Sequence, residues 1–364
     1  MIACDACLRR SALVASLAPH IERARRNHRH ISELLALDDD RLLSALAGSR
    51  RAALEEARDS FDPDAARGRV RDVGLQAVCR HQPGYPRLLA ETGDAPAVVF
   101  IAGDPRRITA LNLDGAPAVA IVGARRAGQD GLEVARGLGR GLAAAGITVV
   151  SGMALGIDSA AHAGALEAGG PTITVLASGA DVPYPPSKRG LYRAIVAADA
   201  AISEMPPGFR PFRWCFPARN RTIAGLASLT IVVEATERSG SLITAELAQD
   251  LGRAVGAVPG SVMAPRAAGS NALLRDGALV IRHAQDALDE ALGVGVATAT
   301  SGRDVAELRE PLRALLRRVE DGCDTVDELA ATPAQAQMAL AGLGELELLG
   351  FLRRAPGGRY VRCL

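Results

Sequence analysis

The chain is poor in residue types that usually announce a function. Aromatic residues make up 3% of its 364 positions, there is one tryptophan, and Lys188 is the single lysine. Phosphate recognition would therefore fall to arginine, whose planar fork of donors fits an oxyanion bidentately. No run reaches the roughly 18 consecutive apolar residues of a membrane span, and Arg9-Arg10 followed by Ser11 to Pro19 is too short and too soon interrupted for an export signal. A cytoplasmic protein without membrane association is expected. Neither GxGxxG nor GxxxxGK[ST] occurs, which weakens a dinucleotide or ATP reading, and no GxSxG elbow or carboxylate pair stands out. The six cysteines, Cys4, Cys7, Cys79, Cys215, Cys323 and Cys363, lack a disulfide-scaffold spacing, as suits a reducing compartment. Only Cys4 and Cys7 form a CxxC pair. Although His20, His28 and His30 are nearby, no second pair follows, so two partly buried thiols are expected and no metal site.

What is present is ordinary globular material, 48% hydrophobic and 23% charged with a net charge of +1, enough for two or three domains. The first 65 residues read as short helices, Ala6 to Leu17, Ile31 to Leu37, Asp40 to Ala47 and Arg51 to Phe61, with Asp38 to Asp40 and Gly48 as cap or stop signals. A Pro- and Gly-rich connector with one extended segment, Ala97 to Ala102, follows. From Ala118 the pattern alternates apolar runs of strand length with helical segments, the signature of a parallel sheet with crossover helices. The runs are Val119 to Val122, Thr148 to Ser151, Thr172 to Leu176, Leu229 to Glu234 and Ala254 to Val258, with Val280-Ile281 as a short sixth. This α/β domain is expected over 66–290. Residues 291–303 form a small-residue linker. Residues 304–364 carry helical patterns at Val305 to Val319, Thr325 to Ala330 and Pro333 to Leu349, then a hairpin, a winged-helix layout.

Four strands end in small, glycine-containing turns: Gly123 to Gly128, Ser151 to Gly156, Ala177 to Ala180 and Ser239 to Ser241. In an open α/β sheet such turns collect where loops meet helix N-termini, and their exposed N–H groups attract phosphate. Between Met205 and Val233 there is no acidic residue, while Arg210, Arg213, Arg219 and Arg221 lie within that span and four aromatics, Phe209, Phe212, Trp214 and Phe216, fall in eight residues. Cations along a backbone and aromatic faces for unpaired bases are what single-stranded nucleic acid needs; a hydrophobic cap with solvated arginines is the alternative. Asp158 and His162 lie four apart and could share a helix face, but a capping Asp over a packed His is favoured over an acid–base pair. Glu204 and Glu234 are expected to hold the arginines in place. The C-terminal helices lack Lys and Arg between Val319 and Leu352 and are acidic, so that module is expected to contact protein or simply pack.

Taken in order, Gly123-Ala124-Arg125, Ser151-Gly152-Met153-Ala154-Leu155-Gly156-Ile157-Asp158 to Ala161-His162, Tyr184-Pro185, Ser203-Glu204, Phe216-Pro217-Ala218-Arg219-Asn220-Arg221, Val233-Glu234-Ala235, Ser239 to Ala245 and Val258-Pro259-Gly260 to Asn271 resemble the DprA (Smf) family over about residues 80–285. The resemblance implies an extended Rossmann-like domain, a sterile-alpha-motif-like N-terminal domain over 1–65 and a C-terminal winged helix. It further implies a homodimer that binds single-stranded DNA and loads RecA recombinase during natural transformation, with no catalysis and no cofactor. The DNA pocket it implies maps to Gly123, Ala124, Arg125, Arg213, Phe216, Arg219, Asn220 and Arg221, joined from the turns by Ser151, Gly152, Gly179, Ser239, Gly240 and Ser241. Ala124 stands where a serine is usual, and Arg213 where a lysine is often found. The competing expectations are a nucleotide-processing enzyme of the phosphoribohydrolase type using Glu234 or Asp158, and a pure protein adaptor.

Overall fold

A computed structural model of the chain describes residues 3–25, 31–112, 117–297, 308–330, 332–349, 351–355 and 357–362. The chain divides into two compact units, Met1–Thr298 and Ala299–Leu364. The expected linker, and the start of the expected helix at Val305, fall partly outside the described residues.

The first unit is built on nine strands: β1 Gln76–Cys79, β2 Val98–Gly103, β3 Ala118–Val122, β4 Thr148–Ser151, β5 Thr172–Val175, β6 Ala200–Ser203, β7 Leu229–Val232, β8 Ala254–Ala257 and β9 Leu279–Val280. Their order across the sheet is β1-β2-β6-β5-β4-β3-β7-β8-β9. From β6 to β9 all neighbours are parallel, while β2 runs antiparallel to β6 and β1 to β2. Helices cover the parallel strands, and every residue of β3, β5, β6 and β7 is buried, which is why these strands are continuous apolar or small runs without alternation. The sequence signal for β6, Ala-Ala-Ile-Ser, is too weak in β-branched residues to stand out, and β6 and β1 are the two strands not anticipated from sequence.

Six helices precede β1: Asp5–Ser16, Ala18–Arg25, Ile31–Ala36, Asp39–Leu46, Arg51–Asp59 and Pro63–Asp72. Asp38 caps the fourth by accepting from the Arg41 N–H at 2.8 Å, and Asp62 caps the sixth ahead of Pro63. Their leucines and isoleucines form one core with Trp214, Cys215 and Ala218 of the sheet domain. The indole Nε1 of Trp214, wholly buried, donates to the Ala18 carbonyl at 3.1 Å.

The second unit contains helices Glu310–Glu320, Val326–Leu329 and Pro333–Leu348 and an antiparallel hairpin, Leu352–Ala355 with Arg359–Arg362. Leu312, Leu316, Leu343, Leu346 and Tyr360 fill its core. Thr325 and Glu328 close a reciprocal capping box at the second helix. Acidic Glu345 and Glu347 are neutralised within the unit by Arg309 and Arg354.

His162, on helix Ile157–Glu167, is fully buried. The Thr172 hydroxyl donates to the Val149 carbonyl at 3.0 Å, which leaves the His162 Nδ1–H to donate to that hydroxyl oxygen at 2.7 Å. Burial pushes the imidazole down to about 3. Because this lies below the value of about 6.5 in the unfolded chain, the unfolded state binds a proton over that interval that the folded state does not. The stabilisation is complete above about pH 6.5 and is lost as pH falls towards 3. Thermal unfolding of wild type and His162→Gln across this range should show wild type losing about 2 kcal/mol more than the variant between pH 6.5 and 5. Parallel pH profiles would remove His162 as the cause.

Candidate nucleic-acid interface

Strand β3 is where the sheet reverses. The chain moves outward through β4, β5 and β6, then returns to the other side of β3 as β7, so the loops after β3 and β7 part and leave a crevice at their carboxyl ends. The turn after β3 is pinned from beneath. The Ala124 N–H donates to the Glu234 carbonyl at 2.7 Å, and the Ile157 N–H donates to the Ala124 carbonyl at 3.3 Å. Gly123 has no room for a side chain: a Cβ there would lie 2.6 Å from Ile157 Cγ1 and 3.0 Å from the Glu234 oxygen. The same turn presents Arg125 to solvent, its guanidinium 5.3 Å from the centre of the Phe216 ring, a cation–π geometry. Phe216 also meets Tyr184, ring centres 5.5 Å apart and planes inclined at 57°.

On the β7 side, Ser239 caps helix Gly240–Asp250. Its hydroxyl accepts from the Ser241 N–H and lies 2.7 Å from the Ser241 hydroxyl. Asn220 Nδ2 bridges to the Gly240 carbonyl at 3.2 Å. Helix Cys215–Leu226 lies between, and from it Arg219 reaches into the floor of the crevice. Its Nη1 donates to the Gly152 carbonyl at 2.6 Å and to the Val175 carbonyl at 2.9 Å, tying the loop after β4 to the end of β5. Burial lowers Arg219 to about 10, a shift opposed by Asp158, so it remains a cation at neutral pH. Asp158 accepts from the Gly152 and Ala154 N–H groups at 3.2 and 3.3 Å. Burial raises its carboxyl, while Arg219 and those two amides pull it back. Asp158 therefore fastens the preceding loop; the residue in the N-cap position is Gly156.

A cavity of about 330 Å³ results, lined among others by Gly123, Arg125, Asp158, Phe216, Arg219, Asn220, Ser239, Gly240 and Ser241. Eight of the residues singled out in the sequence are thus brought together. Others are placed elsewhere. Ser151 spends its hydroxyl on the Ile121 carbonyl at 2.6 Å inside the sheet, and Gly152 lies beneath the Arg219 guanidinium. Gly179 donates its N–H to the Phe209 carbonyl at 2.9 Å. Arg213 is exposed, outside the cavity lining. Arg221 is buried between Glu204 and Asp94, so its charge is consumed by a structural network. Glu204 holds Arg221 as expected, but Glu234 instead accepts from the Gly128 N–H and pairs with Arg266 at 3.4 Å.

The aromatic segment divides. All four pack in or against the core shared with the N-terminal helices, as the hydrophobic-cap alternative has it, and of the four Phe216 alone also lines the crevice. Tyr184, absent from the predicted site, is its aromatic neighbour; the Tyr184-Pro185 pair was the available signal, 32 residues upstream of Phe216 in a chain with few aromatics.

Fold and site together define an open, largely parallel α/β protein with an anion-prone crevice at its topological switch point. Residues 76–292 match the family described as DNA recombination-mediator protein A, and the chain belongs to that family. It is 36% identical to protein Smf of Synechocystis over 79% of this chain and 80% of that protein. It is 42% identical to DNA processing protein DprA of Streptococcus pneumoniae over 57% of this chain and 71% of that one. Among solved structures, it is similar to DNA processing protein A from Streptococcus pneumoniae, with a TM-score of 0.63 and 33% identity over 78% of this chain and 96% of that one. It is also similar to DNA processing protein A from Helicobacter pylori, a structure described for its single-stranded DNA binding mode, with a TM-score of 0.53 and 28% identity over 59% of this chain and 94% of that one. No helix among the described residues is long and apolar enough to cross a membrane.

The packing around Arg219 is directly testable. A Cβ on Gly152 would lie 2.0 Å from Arg219 Nη1, whereas one on Gly240 would meet nothing within 4 Å. Gly152→Ala should lower stability by about 1–3 kcal/mol, because a buried guanidinium must leave its carbonyl partners. Gly240→Ala should change it by less than about 0.5 kcal/mol. Denaturant melts of the two variants check this, and equal stability would mean that Arg219 is not held as described.

Proposed function

We propose that this protein binds single-stranded DNA in the switch-point crevice, as a binding protein and without catalysing a reaction. The observation that carries the reading is the Arg125–Phe216–Tyr184 stack at the lip of a cavity with a buried cation, Arg219, at its floor. Phe216 offers a face on which an unpaired base stacks, Arg125 and the exposed Arg213 neutralise phosphates, and the N-terminus of helix Gly240–Asp250 adds backbone donors. Asp158 and Glu234, the carboxylates that a nucleotide-processing enzyme would use, are both engaged in holding loops, which weighs against that alternative. The single-stranded DNA binding described for the Helicobacter pylori relative supports the same ligand. Membership of the family supports a role in DNA processing during natural transformation, in which a homodimer passes the bound strand to RecA recombinase.

Anisotropy titration of a labelled dT oligonucleotide tests the site. Phe216→Ala should weaken binding by about 1–3 kcal/mol, or about 5- to 150-fold, and a duplex of equal length should bind less tightly. Arg125→Ala should weaken binding and flatten the salt dependence. For two or three neutralised phosphates at about −0.7 each, the logarithmic salt slope should be about −1.4 to −2.1. Undiminished binding by both variants would move the site elsewhere, and a mononucleotide turned over to product would overturn the non-enzymatic reading.

A further inference from the structure

At the opposite end of the sheet from β9, three thiols and an imidazole converge. Cys4 occupies the N-cap position of helix Asp5–Ser16 and Cys7 lies in its first turn. Cys79 ends the edge strand β1, and His81 follows two residues later. The Cys4 and Cys7 sulfurs each lie 3.4 Å from His81 Nδ1, and the Cys4 N–H donates to the Cys79 sulfur at 3.5 Å. All four donor atoms fall within 4.8 Å of one another. Around them Ala3, Leu8, Leu75, Ala77 and Val98 form an apolar corner.

We propose that Cys4, Cys7, Cys79 and His81 form a structural zinc site that fastens the N-terminal helix to the edge strand of the sheet. A tetrahedral zinc ion with bonds of about 2.3 Å to sulfur and about 2.0–2.1 Å to nitrogen spaces its ligands about 3.8 Å apart for sulfur–sulfur and about 3.6 Å for sulfur–nitrogen. The separations of the Cys4 and Cys7 sulfurs from His81 Nδ1, 3.4 Å each, are already close to this. Three soft thiolates with one imidazole are a zinc donor set, and four protein ligands leave no open position for substrate, so the role is structural. A disulfide would use two of the three thiols and give the imidazole no part. The Cys4 N–H on the Cys79 sulfur is the kind of outer contact that orients a thiolate ligand. Cys215 lies instead in the core around Trp214. His81 is 74 residues from Cys7 in the chain and arrives through the fold.

The test is elemental analysis of the untagged full chain, purified in reductant without chelator. The wild type should carry close to one zinc ion per chain, Cys323→Ser should keep it, and Cys4→Ser/Cys7→Ser and His81→Ala should lose most of it. Stripping the wild type should lower its melting temperature by several degrees, and adding zinc chloride should restore it. If the substituted chains do not fold, cobalt(II) introduced into wild type supplies the second readout, a thiolate-to-cobalt charge-transfer band. Wild type that holds only traces of zinc and takes up none when it is added overturns the proposal. So do iron in place of zinc, variants that retain the wild-type zinc content, and a cobalt-treated chain without the band.

Discussion

The reversal of direction at β3 sets where everything else can be. Because β4 and β7 both pair with β3, in parallel and on opposite sides, the loops after β3 and β7 part, and the space between them must be floored by something. Helix Cys215–Leu226 supplies the floor, and Arg219 is its fixed point. One Nη1 serving two carbonyls, that of Gly152 just after β4 and that of Val175 at the end of β5, holds these two strand ends in register with that helix. Glycine at 152 is what allows the guanidinium to approach so closely. A buried cation in a low-dielectric setting is costly, and the cost is offset here by the two carbonyls on Nη1 and by the charge of the nearby Asp158, although Nε meets no partner among the described residues.

Counting arginines in the acid-free segment overstates the charge offered to a ligand. Arg219 and Arg221 are two residues apart on one helix and both are buried, yet they differ in use. Arg221 is compensated by Glu204 and Asp94, so it brings little net charge to the crevice. Arg219 is held by neutral carbonyls with no carboxylate in ion-pair contact among the described residues, so its field reaches the cavity, tempered by Asp158 in the same lining. Arg125 and Arg213 are exposed, where screening by salt is strongest. Electrostatics in the crevice is therefore a mixture of one weakly screened charge and a small number of screened ones.

Much of this was legible in the sequence. The strands that stand out are those with β-branched runs, Val119 to Val122 and Leu229 to Glu234 among them, and the turns after β3 and β7 were marked by glycine and serine at strand ends. Three kinds of feature were not. Ala-rich β6 lacks a strand pattern, and the charge-rich helix Pro63–Asp72 lacks an apolar stripe, burying Val70 alone, so tertiary packing decides both. Whether an aromatic lines the crevice or only packs against a neighbouring module cannot be read from spacing: Phe209, Phe212 and Trp214 do only the second, while Phe216 does both. Ligand sets assembled across the fold are invisible to local spacing, as Cys4 and Cys7 with Cys79 and His81 illustrate.

One short stretch links these parts. Residues 209–221 present Phe209, Phe212 and Trp214 to the N-terminal helices, and Phe216, Arg219 and Asn220 to the crevice. The Trp214 N–H donates to Glu22 and its indole to Ala18, so the N-terminal module grips the segment just two residues before Phe216. Helix Asp5–Ser16 closes the circuit. It begins among the thiols at the sheet edge, its Ser11 hydroxyl donates to the Glu204 carbonyl at 3.4 Å, and its Leu13 and Val14 join the core around Trp214. An ion at its first turn would fix one end of the helix while Trp214 fixes the other. The small N-terminal module then braces the segment that carries Phe216, and burial of Trp214 ties the shape of the crevice to the folding of helices that do not line it.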